Sequence, residues 1–128
     1  MALGLTKVTG TPLNAATVSA SSTSWGTALN AGAGERFGHV VFQVSVTFDA
    51  SATEDAVVHL RKSTDDGTTD TDTGTAVKSI EVSAGNTKVV EVEAADFDYL
   101  EIGVENEDGS YSLTTTVKYE GVKITGLS

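Results

Sequence analysis

HVVFQVSVTF, residues His39–Phe48, is the stretch that decides the fold of this chain. An apolar residue stands at every second position: Val40, Phe42, Val44, Val46 and Phe48. Successive side chains of a β-strand point to opposite faces, so this spacing places all five on one face. The positions between them are mostly polar. The pattern predicts a strand that buries one face and exposes the other.

The same period of two returns along the rest of the chain in shorter runs. We predict strands over Ala56–Ser63, Ala76–Ser83, Thr87–Glu93, Phe97–Glu105, Tyr111–Tyr119 and Val122–Ile124. In the first, fourth and fifth of these the alternation places on the inner face Val58, Leu60, Leu100, Ile102, Val104, Leu113, Thr115 and Val117, and in the first and fourth it places on the outer face His59, Arg61, Glu101 and Glu105. Turn signals separate them at Asp65-Asp66-Gly67, Ala84-Gly85-Asn86 and Glu107-Asp108-Gly109. Connections this short leave no room for crossover helices, so the pairing should be mainly antiparallel. The fold class predicted is all-β, an antiparallel β-sandwich of jelly-roll-like kind.

Residues 1–34 differ from the rest, because they are rich in Ala, Ser, Thr and Gly and carry Lys7 as their only charge. We predict an extended N-terminal arm here, with one or two short strands near Thr17–Ala20 and Trp25–Ala28, followed by a sandwich domain over 35–128. Two roles stay open for the arm. It can supply the first strands of the sandwich, or it can reach a neighbouring subunit.

Length and composition describe one ordinary domain. A chain of 128 residues buries enough surface to fold without a stabilising disulfide or metal ion. It has no cysteine, which excludes disulfides, thiolate chemistry and Cys-based zinc sites. Met1 to Thr6 shows no secretory pattern, and the apolar runs are far shorter than the roughly 20 residues that span a bilayer. We therefore expect no membrane contact.

The charge is acidic and unevenly placed. The formal net charge is −10, and between Asp49 and Asp108 there are 16 acidic residues against four basic ones. Nucleic-acid binding needs clustered Lys and Arg to neutralise phosphates, so we expect no nucleic-acid partner. An acidic body favours solubility and resists self-aggregation.

No catalytic, cofactor-binding or metal residue is predicted, and we expect no enzyme and no cofactor. The two histidines, His39 and His59, have no second His or Cys at ligand spacing, and no G-x-S-x-G elbow is present. The acidic loop Asp65, Asp66, Asp70 and Asp72 could offer oxygens to calcium, but it fails the helix-loop-helix calcium pattern. We interpret that loop, and the turn at Glu105, Glu107 and Asp108, as solvated acids.

A sugar platform would need exposed aromatic side chains. The candidates are Trp25, Tyr99, Tyr111 and Tyr119. Tyr99 is predicted to face away from the core, and Trp25 is interpreted as an anchor of the N-terminal segment against the sandwich.

Four segments together suggest a family. They are Leu3–Thr9 (LGLTKVT), Val44–Ala52 (VSVTFDASA), His59–Gly67 (HLRKSTDDG) and Tyr99–Asn106 (YLEIGVEN). Over nearly its whole length the chain resembles the small Ala/Thr/Val-rich β-sandwich proteins encoded among the virion genes of tailed bacteriophages. The phrase RKSTDDG is the most characteristic part of this likeness.

The resemblance implies a structural role, as a capsid decoration, cement or head-associated protein present in many copies. It implies the major capsid protein or other virion proteins as partners, a homo-oligomer, and a virion location after synthesis in the host cytoplasm. The family has no catalytic residues to carry over. Two alternatives stay open: a tail, fibre or adaptor component, and a carbohydrate-binding module.

Overall fold

A computed structural model describes residues 4–31, 35–63, 78–97 and 99–125. All its regular structure is β, and these residues contain no helix. The strands are β1 (Gly4–Val18), β2 (Thr23–Trp25), β3 (Leu29–Asn30), β4 (Arg36–Phe48), β5 (Ala56–Ser63), β6 (Lys78–Val82), β7 (Thr87–Phe97), β8 (Tyr99–Asn106) and β9 (Leu113–Thr125). None of the described residues belongs to a helix long and apolar enough to cross a membrane.

The strands form two antiparallel sheets. Sheet A has the order β1-β9-β4-β7, and sheet B has the order β2-β8-β5-β6, with β3 also paired to β8. The chain switches between the sheets from one element to the next along most of its length, which is the winding of a jelly roll. The predicted fold class, an antiparallel sandwich of jelly-roll kind, is confirmed.

β4 lies inside sheet A between β9 and β7, and its alternation is as predicted. Val40, Phe42, Val44 and Val46 are fully buried. Gln43 and Thr47, on the opposite face, are exposed. The inward side chains predicted for β5, β8 and β9 are also buried: Val58, Leu60, Leu100, Ile102, Val104, Leu113, Thr115 and Val117.

The core forms one cluster between the two sheets. Its largest fully buried side chains are Phe42 and Phe97 from sheet A and Leu60, Leu100 and Ile102 from sheet B. Phe97 also stacks on Phe37 with ring centroids 4.9 Å apart. Since apolar burial stabilises by roughly 25 cal/mol per Å², this cluster is the main source of stability.

The N-terminal segment contains two short strands, β2 and β3, but the prediction missed the long strand β1. β1 alone has 15 residues and pairs with β9 from Gly4 to Val18, while β2 and β3 join sheet B. Leu13, Val18 and Leu29 are buried in the core. In this chain the segment therefore supplies strands to the sandwich, and contact with a neighbour stays a prediction. Ala, Thr and Gly give little period-two signal, and β1 also shifts register after Gly10 and after Leu13, which breaks the alternation further.

β9 is a second difference, since the two runs predicted at 111–119 and 122–124 are one continuous strand. Gly121 lies within it, opposite Val40 of β4. A Cβ atom at position 121 would approach the carbonyl oxygen of His39 to 2.4 Å. The glycine allows close approach of two backbones and does not end the strand. The predicted turn at Asp65-Asp66-Gly67 lies outside the described residues.

Phe42→Ala should lower the free energy of unfolding by about 3–5 kcal/mol, because it leaves a cavity in the centre of the core. Gln43→Ala, on the exposed face of the same strand, is the control and should change it by less than about 0.5 kcal/mol. Urea melts of the two variants measure both values. Equal midpoints would contradict the register of β4.

Candidate functional site

A cluster of polar and aromatic side chains covers the outer face of sheet B. We call it the Trp25 cluster; its members are Trp25, His59, Arg61, Ser79, Glu101 and Glu105. The strand register brings them together: Trp25 and His59 both lie opposite Gly103, Arg61 lies opposite Glu101, and His59 lies opposite Ser79. The alternation predicted His59, Arg61, Glu101 and Glu105 on this outer face. It did not predict that Trp25 would join them.

The indole of Trp25 packs on the outer side of β5 and β8. The guanidinium carbon of Arg61 lies 3.5 Å from the centroid of its ring, a cation–π contact. Arg61 also donates to Glu101, at 3.2 Å. Because Gly103 has no side chain, the indole can lie close to β8. Trp25 thus anchors β2 to the sandwich, the role predicted for it.

His59 lies between a hydroxyl and a carboxylate. Its Nδ1 is 2.7 Å from Ser79 Oγ, and its Nε2 is 2.8 Å from Glu105 Oε1. Hydroxyl, imidazole and carboxylate in a row are the parts of a nucleophilic triad. Acyl transfer also needs backbone N–H groups aimed at an oxyanion, and β5 and β8 are inner strands that use theirs in the ladders. The geometry describes three cross-strand neighbours that satisfy one another.

Gly103→Val should displace the indole and destabilise the chain by about 1–3 kcal/mol, the usual cost of overpacking. A Cβ atom at position 103 would approach Cε3 of Trp25 to 2.6 Å. The near-ultraviolet circular dichroism of Trp25, the chain's single tryptophan, should also weaken.

Gly109→Ala is the matched control, because the nearest atom to an added Cβ atom, Ser21 Oγ, is 3.7 Å away. It should leave both the spectrum and the melting temperature nearly unchanged. An unchanged tryptophan signal in Gly103→Val would contradict the placement of Trp25.

The four aromatic side chains considered for sugar binding are not brought together. Tyr99 shares β8 with Gly103, the contact of Trp25, but lies four residues away, about 13 Å along the strand. Tyr119 is half-buried, and its ring is 5.8 Å from that of Phe42. Tyr111 is exposed in the loop before β9. One face of the Trp25 indole is covered by Arg61, so a sugar stacking there would displace the guanidinium.

The turn at 107–109 is not a set of solvated acids, because Asp108 is only 4% exposed. Its Oδ1 accepts from the N–H groups of Ser110 and Tyr111, at 2.8 and 2.9 Å, and its Oδ2 accepts from that of Thr53, at 3.0 Å. Its own N–H donates to Asn106 Oδ1. Asp108 therefore ties the β4–β5 and β8–β9 loops together at one end of the sandwich.

The charge state of this turn follows from those bonds. The N–H groups of Ser110, Thr53 and Tyr111 hold the pKa of Asp108 below its ordinary value, against the opposing effect of burial. Partial desolvation raises the pKa of the neighbouring Glu107, and the negative charges of Glu105 and Glu81 act in the same direction. The pKa values of these two adjacent acids are therefore shifted in opposite directions, that of Asp108 down and that of Glu107 up.

Asp108→Asn should lower the melting temperature at neutral pH, because an amide offers one acceptor where the carboxylate offers two. A depressed pKa contributes stability above the pKa of the unfolded chain, about 3.9, and this is lost as pH falls through the folded value. The difference in melting temperature between wild type and variant should therefore shrink below about pH 4. Glu107 is present in both proteins, so its effect cancels. A pH-independent difference would contradict the charged hydrogen bonds.

No group of three or more His, Asp or Glu side chains suited to a metal ion lies among the described residues. The acidic loop Asp65, Asp66, Asp70 and Asp72 lies outside them. His39 is exposed on the outer face of sheet A, with its Nε2 3.6 Å from Glu93 Oε2.

The outer face of sheet A forms an open groove of about 530 Å³. Its lining is mixed and crosses all four strands: Val41 and Tyr119 lie among the polar side chains of Thr9, Thr11, Gln43, Glu91, Lys118 and Glu120. The rim on the β1 side follows the register shift after Gly10. Sequence reasoning missed this groove, because the order of the strands was unknown.

Sheet A also has two free edges, of which that of β1 is interrupted at Pro12, whose carbonyl oxygen accepts from the Thr27 N–H at 3.2 Å. Within the described residues, β1 pairs with β9 alone in that sheet and β7 with β4 alone. β7 has 11 residues and no register shift. Of the described large apolar side chains, the two most exposed lie on these edges: Leu5 of β1 (75%) and Val89 of β7 (56%). Long regular edges are templates for pairing with another strand.

No protein-family profile and no curated protein matches the chain. Solved structures of low similarity do. A chain from the Bacillus endospore appendages, described as a novel family of disulfide-linked pili, is 17% identical with a TM-score of 0.46, over 98% of this chain and 89% of that one. A chain from the cryo-EM structure of Broad Bean Stain Virus is 13% identical with a TM-score of 0.46, over 74% and 62%.

The crystal structure of FLHE is a third such neighbour, 12% identical with a TM-score of 0.45, over 98% of this chain and all of that one. Two of the three chains come from multi-subunit assemblies, a pilus and a virus. With TM-scores below 0.5, these likenesses carry no argument about the activity of this chain.

Proposed function

We propose that this protein is a structural component of a tailed-phage particle that decorates or cements the capsid through protein–protein contacts. The observation that carries the proposal is the pair of free edges of sheet A, each with an exposed apolar side chain. An edge of this kind gains backbone hydrogen bonds when it meets another strand. On β1 the register shifts and Pro12 confine the regular edge to Gly4–Gly10, while β7 is regular over its whole length.

The described surface supports contact rather than catalysis. In the Trp25 cluster, the imidazole, the guanidinium and their carboxylates bond to one another. Asp108 is bonded by backbone N–H groups. Groups that bond to one another in this way have less hydrogen-bonding capacity left for chemistry. We therefore propose a non-enzymatic protein.

Copies of this chain cannot be joined by disulfide bonds, because it has no cysteine. The net charge of −10 favours a particle surface that does not aggregate, and no basic patch for nucleic acid is expected from the sequence. Partners in this proposal are the major capsid protein or other virion proteins, after synthesis in the host cytoplasm.

The test is light scattering of the purified chain, alone and after mixing with capsids stripped of their accessory proteins. We expect saturable binding to the shell at a fixed copy number. A stable ring or trimer that ignores the shell would move the protein to a tail, fibre or adaptor role. A chain that neither assembles nor binds the shell would overturn the structural role, and a glycan array would then test the groove of sheet A.

A further inference from the structure

The direction of the backbone groups on the free edge of β7 can be read from one hydrogen bond. The Phe48 N–H donates to the carbonyl of Asn86, at 3.0 Å. The register of β4 and β7 makes these two residues direct neighbours. Hydrogen-bonded and non-bonded pairs alternate along an antiparallel ladder. The N–H and C=O groups that point away from β4, toward the free edge, therefore belong to residues 87, 89, 91, 93 and 95.

The same alternation, followed through β9, gives the direction for β1. In β4, the backbone N–H and C=O groups of the odd-numbered residues from Val41 onward point toward β9. Val41 and Gln43 lie opposite Glu120 and Lys118 there. In β9, the N–H and C=O groups of Tyr119 and Gly121 therefore point toward β1, where these residues lie opposite Gly10 and Val8. The free edge of β1 thus presents the N–H and C=O groups of residues 5, 7 and 9. The register shifts and Pro12 confine this regular edge to Gly4–Gly10.

Pairing of two β7 strands about a two-fold axis is disfavoured by charge. The fully overlapped antiparallel alignment sets Glu91 of each copy opposite Glu93 of the other, in the middle of the contact. A shift by two residues in either direction sets Glu91 opposite itself or Glu93 opposite itself. Like charges directly opposite destabilise a strand pair. The partner of β7 should carry no acid and preferably a base.

β1 has that chemistry, since Lys7 is the only charged residue from Gly4 to Val18. Strand directions alternate in sheet A, so β1 of one copy runs antiparallel to β7 of a copy placed beside it in the same orientation. An alignment with Lys7 opposite Glu91 places Glu93 on the diagonal, within reach of the ammonium. The existing pair of Lys7 with Glu120 is exposed on both sides, so exchanging it costs little.

We propose that copies of this chain join head to tail, with β1 of one copy completing sheet A along the free edge of β7 of the next. The interface also covers Leu5 and Val89. Because it uses two different edges, it continues from copy to copy and yields a ring or a filament rather than a closed two-fold dimer. This inference rests on the proposed structural function and names the contact that it uses.

Complementation between two blocked variants tests the proposal. Val89→Pro removes an N–H group that faces the free edge of β7, and Thr9→Pro does the same for β1; neither removes a bond to the neighbouring strand. Each variant alone should be a monomer by light scattering. Mixed together they should form a one-to-one dimer and stop there, because each keeps one intact edge. The controls Val89→Thr and Thr9→Val keep the N–H groups and should assemble as wild type does.

Three outcomes would overturn this contact: a wild-type chain that is monomeric alone, blocked variants that still assemble, or blocked variants that keep wild-type melting but fail to complement. Each leaves the structural function standing if the chain still binds stripped capsids, so failure of the contact and failure of the function are distinguishable. Amide hydrogen exchange on the wild-type assembly needs no variant. It should show protection of residues 5, 7 and 9 and of 89, 91 and 93 on assembly, and unprotected amides there would also overturn the proposal.

Discussion

Burial of the inner face of β4 is the constraint on which the rest of the structure depends. β4 is one of the two inner strands of sheet A, and it alone pairs with both β9 and β7. Its alternate side chains are fully buried against sheet B. A slip by one residue would turn every one of them to solvent, so the register of β4 is strongly specified. β9 and β7 take their positions from it, and through β9 so does β1.

The outer faces of the sheets solve a different problem, which is to carry polar side chains without leaving them unsatisfied. On sheet B the cross-strand register sets the imidazole of His59 against Ser79 and Glu105, and Arg61 against Glu101. Gly103 opens the space that the indole of Trp25 fills. These side chains therefore bond to one another across the strands of sheet B.

The ends and edges of the sandwich differ in how completely they are closed. At one end Asp108 collects three loop N–H groups and holds the loops in place. The edges of sheet A are more open among the described residues: on β1 the Pro12 carbonyl accepts from the Thr27 N–H, while Gly4–Gly10 and β7 pair on one side alone. The edges of sheet B consist of short strands, β2 and β3 on one side and β6 on the other. Among the described residues, the longest rows of edge N–H and C=O groups therefore lie on sheet A, where the edge strands are long and carry exposed apolar side chains.

The sequence by itself determined the fold class, the inward side chains of β4, β5, β8 and β9, and the outward direction of His59, Arg61, Glu101 and Glu105. These follow from a period of two, which is a local property of the strand. Only the tertiary structure decided the length of β1, the continuity of β9 through Gly121, the contact of Trp25 with Arg61, and the burial of Asp108. Each of these depends on which strand or loop lies alongside, often some 40 or more residues away in the chain, as for Asp108 and Thr53. The alternation within one strand does not say which strand lies beside it. The order of the strands depends on how the two complete sheets pack around one core.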